Sequence, residues 1–160
     1  MRQSKWEIRD RGRVARLLEK AAVGRLGTVN AYGYPMIKPL NFVFARDKVY
    51  FHGAYEGEKI EDIQRDSRVC FEVDIDLGYV KAENHACEAG FLYQSVVITG
   101  HASIVEERKE KLFALEELMK KYQPEGNYKE FPEDTLARTA VVRIDVNNMT
   151  GKERTKQRAG

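Results

Sequence analysis

Short turns connect the strand-like segments of this sequence, and this feature restricts its fold more than any other. Asn30-Ala31-Tyr32-Gly33 has the residue types of a tight turn, and 46–47 makes the next one. Alternation together with β-branched and aromatic residues predicts strands over about 23–29, 35–44, 48–53, 68–75, 91–104 and 139–146. Consecutive antiparallel strands expose two edges unless the sheet closes, so the sequence predicts a small six-stranded barrel.

Three segments have helical rather than strand periodicity. Apolar residues three or four positions apart predict helices over about 11–21, 56–65 and 106–122. Asp10 stands where a capping residue would begin the first helix, and Pro124 ends the third. Residues 76–90 show no clear period and are expected to be irregular. Together the segments predict a mainly β fold with a few peripheral helices.

The balance of apolar and charged residues is that of a globular domain. Of the 160 residues 42% are hydrophobic and 32% charged, and no apolar run approaches the roughly 18 residues that a membrane span needs. The net charge of +2 is too small to indicate a nucleic-acid surface. The charged opening over 1–7 predicts no secretory signal and a cytoplasmic location. We expect a single domain over 1–150 and a basic, solvated tail over 151–160.

The two cysteines predict neither a disulfide framework nor a metal site. Cys70 lies in an apolar run of the fourth predicted strand, where a thiol is expected to act as a small core residue. Cys87 follows His85 by two positions, but only His101 and Cys70 could join them as ligands. We therefore expect reduced thiols and no bound metal.

Lys38 is a charged residue among apolar neighbours. The two-residue period of a strand places it on one face with Met36, Leu40 and Phe42. A charge in such a position needs a partner. Two interpretations remain open, a lysine that protects an edge strand beside Pro39 and a ligand for an anion.

The run Gly57-Glu58-Lys59 opens the second predicted helix. Backbone N–H groups and the helix dipole favour an anion at a helix start, so a lysine there is opposed by the dipole. A bound phosphate would satisfy both the helix start and Lys59. However, Glu56, Glu58 and Glu61 could do the same without a ligand, and both interpretations stay open.

His52 ends the third predicted strand immediately before Gly53. A lone histidine is most often structural, although its ordinary pKa near neutrality also permits a catalytic role. Because Lys38, His52 and Lys59 lie on adjacent predicted elements, one site that holds both a phosphate and an apolar ring is geometrically possible.

Two runs resemble the flavin-binding pattern of the pyridoxamine 5'-phosphate oxidase-like family. They are Gly-Tyr-Pro-Met-Ile-Lys-Pro-Leu-Asn-Phe at 33–42 and Val-Tyr-Phe-His-Gly-Ala-Tyr-Glu-Gly-Glu-Lys at 49–59. Segments 68–73, 93–102 and 150–152 resemble further parts of the pattern, so the resemblance covers nearly the whole chain. Within the family, the most similar variant is that of the 5-nitroimidazole reductases.

The resemblance implies a Greek-key FMN-binding split β-barrel, in a homodimer whose two FMN sites lie at the subunit interface. By position, Lys38 and Lys59 would hold the FMN phosphate, His52 and Gly53 would border the isoalloxazine, and Ser95 would line the site from a later strand. The remaining cofactor-binding residues that the resemblance implies are Pro39, Leu40, Asn41 and Gly57.

One departure from the family pattern concerns the phosphate clamp. Pyridoxamine phosphate oxidases have Ser-Arg-Lys where this chain has Gly57-Glu58-Lys59, so a carboxylate replaces a cation. The basic C-terminal strand motif expected for their substrate is also absent. Both differences argue against a true pyridoxamine phosphate oxidase.

The function implied by the resemblance is that of an FMN-dependent oxidoreductase, a flavin reductase or a nitroreductase-like protein. Reduced FMN would pass electrons to a small planar acceptor such as a 5-nitroimidazole, with NAD(P)H or another reductant as donor. His52 beside the ring would position the substrate or supply a proton. The alternatives are a non-catalytic flavin carrier or sensor, and the same fold with haem or a deazaflavin bound.

Overall fold

A computed structural model describes residues 6–155 as an antiparallel sheet with helices around it. The strands are β1 (Glu7–Ile8), β2 (Gly24–Val29), β3 (Pro35–Leu40), β4 (Phe42–Ala45), β5 (Lys48–Ala54), β6 (Arg68–Val80), β7 (Gly90–Ile104) and β8 (Thr139–Arg154). The helices are α1 (Arg11–Lys20), α2 (Glu58–Arg65), α3 (Arg108–Tyr122) and α4 (Glu133–Arg138), with a 3₁₀ turn at Ala86–Glu88.

Side-chain hydrogen bonds explain where two of these elements begin and turn. The Asp10 carboxylate accepts a 2.8 Å hydrogen bond from the backbone N–H of Gly12 and so caps α1, as predicted. The Asn30 side-chain oxygen accepts hydrogen bonds of 3.0 Å from the N–H groups of Tyr32 and Tyr34. These bonds close the predicted hairpin of β2 and β3.

The order of the strands shows that the sheet closes on itself. Neighbouring strands follow the order β3-β2-β6-β7-β8-β5-β4, and β1 pairs with β8. β3 and β4 therefore occupy opposite ends of the order, although only Asn41 separates them in sequence. The segment 35–45 therefore pairs with β2 through its first half and with β5 through its second half, and this bend joins the two ends of the sheet, as in a barrel.

The predicted fold class, mainly β with peripheral helices, is confirmed. The described residues contain eight strands where six were predicted. The difference has two causes, since the predicted strand over 35–44 divides at Asn41 and the short β1 adds to β8.

Both faces of β5 are buried, and this fixes the strand that carries His52. Val49 and Phe51 belong to the main core cluster, on the face that we call the inner face. Tyr50, on the opposite face, belongs to a second cluster with Leu115 and Leu118 beneath α3. The pleat of the strand thus supplies two apolar layers, one on each side.

β8 is longer than predicted, and the predicted tail is wrong in part. The prediction ended this strand at Val146, but it continues to Arg154 because the last residues pair with β7. Lys152 lies opposite Ser95 in this ladder. Residues 151–154 are therefore strand rather than solvated tail, and 156–160 lie outside the described residues. The single domain over 1–150 stays a prediction.

Cys70 is exposed, so its prediction as a core residue is wrong. Val69 and Phe71 on either side are 6% and 0% exposed, and the two-residue period of β6 turns the residue between them to the other face. The apolar run was correctly placed in a strand, but the face of its middle residue was not. Cys87 is exposed as well, and both thiols are free.

Two segments have more regular structure than predicted. The irregular segment predicted over 76–90 shrinks to 81–89, because β6 and β7 continue their ladder to Val80 and Gly90. The connection before β8 contains α4, whose one buried side chain is Leu136.

Candidate functional site

The start of helix α2 lies between strands β3 and β5 and brings their predicted site residues together. The Nζ atom of Lys38 on β3 is 2.9 Å from Oε2 of Glu58, the first residue of the helix. On the other side, a Cβ atom added to Gly53 on β5 would lie 2.7 Å from the Nζ atom of Lys59. The first turn of α2, which includes Lys59, therefore contacts both strands, with Lys38 on one side and Gly53 on the other.

The ammonium group of Lys38 is buried and lacks a hydrogen-bond partner. Its ion pair with Glu58 is close in distance, but the orientation of the two groups does not make a hydrogen bond. A second carboxylate, that of Asp62, lies 3.9 Å away. An ammonium group carries three donors, so Lys38 has hydrogen-bonding capacity that this structure leaves unused.

Asp62 is a functional candidate that the sequence analysis missed. Its residue is only 2% exposed, and its carboxylate accepts hydrogen bonds from the Thr28 hydroxyl at 2.7 Å and from Arg65 at 2.6 Å. Burial alone would raise the pKa of this carboxyl. The hydrogen bonds from Arg65 and Thr28 and the positive charges of Arg65 and Lys38 outweigh that effect, so the pKa lies below its usual value of 3.8. Asp62 is thus an ionised group beneath Lys38. The sequence offered one sign of this, an aspartate adjoining the apolar stripe of α2.

Gly57 immediately precedes α2 and has a backbone conformation that favours glycine. Its φ is +111° and its ψ 160°, a region that other residues rarely adopt. No side chain caps the helix. The first residues after this glycine, Glu58 and Lys59, point to the two sides of the site, toward β3 and β5.

Lys59 is half-buried and lies against β5. Its Nζ atom is 5.9 Å from the centre of the Phe51 ring, within reach of a cation–π contact. The absence of a side chain at Gly53 leaves room for the lysine tip. Glycine at this position therefore allows the cation to approach the strand.

His52 is exposed at the end of β5, and its ring is neutral at neutral pH. Partial burial of the ring lowers its pKa from 6.5, and the charge of Lys59 lowers it further. By the pleat of β5, His52 projects to the side of Tyr50, whereas the open Cβ position of Gly53 faces Lys59. We call Lys38, Lys59 and the start of α2 between them the lysine site. The His52 imidazole lies next to the lysine site but is not enclosed by it.

The other predicted contacts of β3 have different surroundings. Leu40 is half-buried and packs against the main core cluster, whereas Pro39 and Asn41 are exposed. Lys38 is the charged residue of 38–41, and it forms ion pairs with Glu58 and Asp62 of α2. Leu40 adds apolar surface on the same face of the strand.

Ser95 is not brought together with these residues within one chain. Lys38 lies in a row with Leu26, Phe71 and Ile98, which are buried on the inner face. Ser95 pairs with the exposed Asp74 and belongs to the opposite, outer face of the sheet. Two strands, β2 and β6, also separate β3 from β7.

The chemistry available at this site is anion binding beside an apolar wall. Lys38 and Lys59 supply positive charge at a helix start, and the half-buried Leu40 supplies apolar surface on the face of Lys38. Within residues 6–155, no group of three or more His, Cys, Asp and Glu side chains is placed to hold a metal ion. The same residues include no helix that is both long and apolar enough to cross a membrane.

Three solved structures show the same fold. A candidate 5-nitroimidazole antibiotic resistance protein from Bacteroides thetaiotaomicron is 26% identical, with a TM-score of 0.81 over 92% of this chain and 86% of that one. A flavocytochrome from Azotobacter vinelandii is 20% identical, with a TM-score of 0.85 over 97% and 72%. An FAD- and haem-binding protein from Mycobacterium smegmatis is 18% identical, with a TM-score of 0.82 over 92% and 72%.

Sequence comparison identifies the family. No curated protein is significantly similar to the chain. The family model described as pyridoxamine 5'-phosphate oxidase, in contrast, matches residues 10–153 and so includes every predicted site residue. By this match and by its fold, the chain belongs to the pyridoxamine 5'-phosphate oxidase family.

Proposed function

We propose that this protein is an FMN-dependent oxidoreductase that binds the FMN phosphate between Lys38 and Lys59. The observation that carries the proposal is the Nζ atom of Lys38, which is buried without a hydrogen-bond partner at the start of α2. A buried donor without a partner is costly, and a phosphate oxygen would satisfy it. The tip of Lys59, the second residue of α2, lies on the other side of this helix start, beside Gly53.

The residues of this chain fit such a cofactor in three respects. Lys38 and Lys59 provide charge for a phosphate, the missing side chain of Gly53 makes room for the tip of Lys59, and the half-buried Leu40 provides apolar surface on the face of Lys38. Bound FMN supplies the electron transfer, which no side chain of the protein can perform. The neutral His52 can accept or donate a hydrogen bond next to the bound ring.

The acceptor that we propose is a small planar compound of the nitroaromatic type. The likeness to the candidate 5-nitroimidazole antibiotic resistance protein supports this choice. NAD(P)H is the proposed donor. His52 would position the acceptor through a hydrogen bond or relay a proton to it, donating from one ring nitrogen while the other accepts a proton from water, because it is exposed to solvent on β5.

We also propose that the complete site needs a second copy of the chain. Ser95 lies on the outer face of the sheet and Lys38 on the inner face, so one chain does not present both to the same ligand. In a homodimer, Ser95 of one subunit would reach the lysine site of the other. Sedimentation of the FMN-loaded protein should give a dimer with two FMN molecules.

The decisive test compares FMN with riboflavin, which lacks the phosphate. Lys38→Met should weaken FMN binding by roughly ten- to a hundredfold, the worth of a charged hydrogen bond, and leave riboflavin binding unchanged. The control is Lys109→Met, which removes an exposed charge from α3. Titration by flavin fluorescence measures both affinities.

Two results would contradict the proposal. Equal loss of FMN and riboflavin binding would show that Lys38 does not contact the phosphate. A Soret band in the absorption spectrum of the purified protein, with no flavin bands, would point to haem, which two proteins of this fold are described as containing or binding.

A further inference from the structure

The carboxylate of Glu58 occupies the position at which an anionic ligand of Lys38 would bind. Glu58 is the first residue of α2, where the helix dipole favours negative charge. Its Oε2 atom is 2.9 Å from the Nζ atom of Lys38. Of the two features that would attract a phosphate, the lysine is therefore already paired with a side chain of the protein itself, whereas no side chain caps the helix start.

The contact between Glu58 and Lys38 is loose. The Glu58 side chain is 47% exposed, whereas the Lys38 side chain is 25% exposed. The Nζ atom of Lys38 makes no hydrogen bond in spite of the short distance. A glutamate that is exposed and makes no hydrogen bond to its partner can rotate away when another anion takes its place beside the buried ammonium group.

The other carboxylate near Lys38 is fixed in place. Asp62 is 2% exposed and is hydrogen-bonded to Thr28 and Arg65, so it stays beneath the lysine whether or not a ligand binds. Glu61, on the same helix, is exposed and has no ion pair with Lys38 in the described structure. Glu58 is thus the acidic residue of α2 that is both close to Lys38 and free to move.

We propose that Glu58 is a displaceable internal counter-ion of Lys38, which competes with the ligand phosphate and sets the preference of the site for FMN over riboflavin. The inference rests on the proposed function. A phosphate beside Lys38 would meet the Glu58 carboxylate at close range, and two anions at that distance repel each other. Glu58 must therefore leave the lysine when the phosphate binds.

The test compares Glu58→Gln with Glu61→Gln. Both substitutions remove one negative charge from an exposed position on α2, but only Glu58 contacts Lys38. Glu58→Gln should strengthen FMN binding by roughly five- to tenfold and leave riboflavin binding unchanged, while Glu61→Gln should change FMN binding less than twofold. In the Lys38→Met background, Glu58→Gln should lose most of its effect.

Inorganic phosphate provides a second readout that needs no flavin. Phosphate should raise the melting temperature of Glu58→Gln more than that of the parent protein, and the difference should vanish with Lys38→Met. Unchanged or weaker FMN binding by Glu58→Gln would overturn the inference, because Glu58 would then be a spectator or a support for Lys38. Loss of flavin binding in every variant, with the phosphate effect retained, would overturn the FMN proposal but support competition by Glu58.

Discussion

The hydroxyl of Thr28 donates a 2.7 Å hydrogen bond to the carboxylate of Asp62, and both residues are buried. Thr28 lies on β2 and Asp62 on α2, so this bond joins the helix to the hairpin that carries Lys38. Arg65 adds to the junction, because its guanidinium donates both to Asp62 and to the backbone carbonyl of Val29, each at 2.6 Å. The junction fixes α2 relative to β3 and hence fixes the positions of Lys38 and Lys59.

Replacement of Asp62 by Asn should destabilise the protein at neutral pH. Loss of a charged acceptor beneath Lys38 and Arg65 should lower the free energy of unfolding by about 1–3 kcal/mol. Thr28→Val is the matched variant, since it removes one hydrogen bond and keeps the charge, and should cost less. Urea unfolding at pH 7 measures both. An Asn variant as stable as the parent would show that the junction does not support the fold.

The Asp62 carboxylate should make the free energy of unfolding depend on pH in the acid range. The pKa of Asp62 is lower in the folded protein than its usual 3.8, so its contribution is complete above pH 3.8 and is lost as the pH falls through the lowered value. In this range the stability of the parent should fall more steeply with pH than that of Asp62→Asn. Parallel curves for the two proteins would contradict the lowered pKa.

Removal of the Lys59 charge should raise the pKa of His52. The charge of Lys59 adds to the effect of ring burial in holding this pKa below 6.5, so Lys59→Met should move it part of the way back. Lys59→Arg keeps the charge and should leave the pKa low. NMR titration of the His52 ring protons gives the values directly. If Lys59→Met leaves the titration unchanged, the lysine tip is not near the ring in solution.

Gly53→Ala should disturb the site through Lys59. The new methyl group would lie 2.7 Å from the lysine Nζ atom and 3.0 Å from its Cε atom, so the flexible tip must move. FMN binding should weaken several-fold with little loss of stability, because no backbone atom is met. Lys59→Met in the Gly53→Ala background should then add less than it does alone, which a double-mutant cycle measures. Full additivity would mean that the two residues act separately.

His52→Ala should slow turnover and leave the cofactor in place. A positioned acid or base contributes roughly a hundredfold or more to a proton transfer, so the rate with a nitroaromatic acceptor should fall by at least about tenfold. His85→Ala, in an exposed loop, is the control and should retain the parent rate. Flavin absorbance measures occupancy in both. A parent-like rate in His52→Ala would remove this residue from the mechanism.

Local patterns predicted much of the fold because they depend on neighbours in sequence. The turn residues around Asn30 indicated the β2–β3 hairpin, and the position of Asp10 indicated the start of α1. Alternation placed Lys38 correctly on the face of Met36 and Leu40. The prediction that Cys70 faces the core was wrong, because the apolar residues around it were given more weight than the alternation of buried and exposed positions along β6.

The parts of the site that could not be predicted depend on contacts distant in sequence. Asp62 was not recognised as buried, because its partner Thr28 is 34 positions away in sequence and the apolar stripe beside Asp62 does not indicate that contact. Glu58 was recognised as an alternative to a phosphate, but its contact with Lys38 follows from the packing of α2 beside β3. Ser95 stays a prediction, since its role depends on a second chain.

The single residue between β3 and β4 also limits how far the site can open. Asn41 connects the strand of Lys38 to the strand that pairs with β5, where Phe42 lies opposite Phe51, two residues before Gly53. This short covalent connection holds β3 close to β4 and β5. A circular permutant with new termini at Asn41 would remove this connection and keep every strand pair. In that molecule the distance between Lys38 and Gly53 should increase, and selectivity for the size of the bound anion should decrease before the fold is lost.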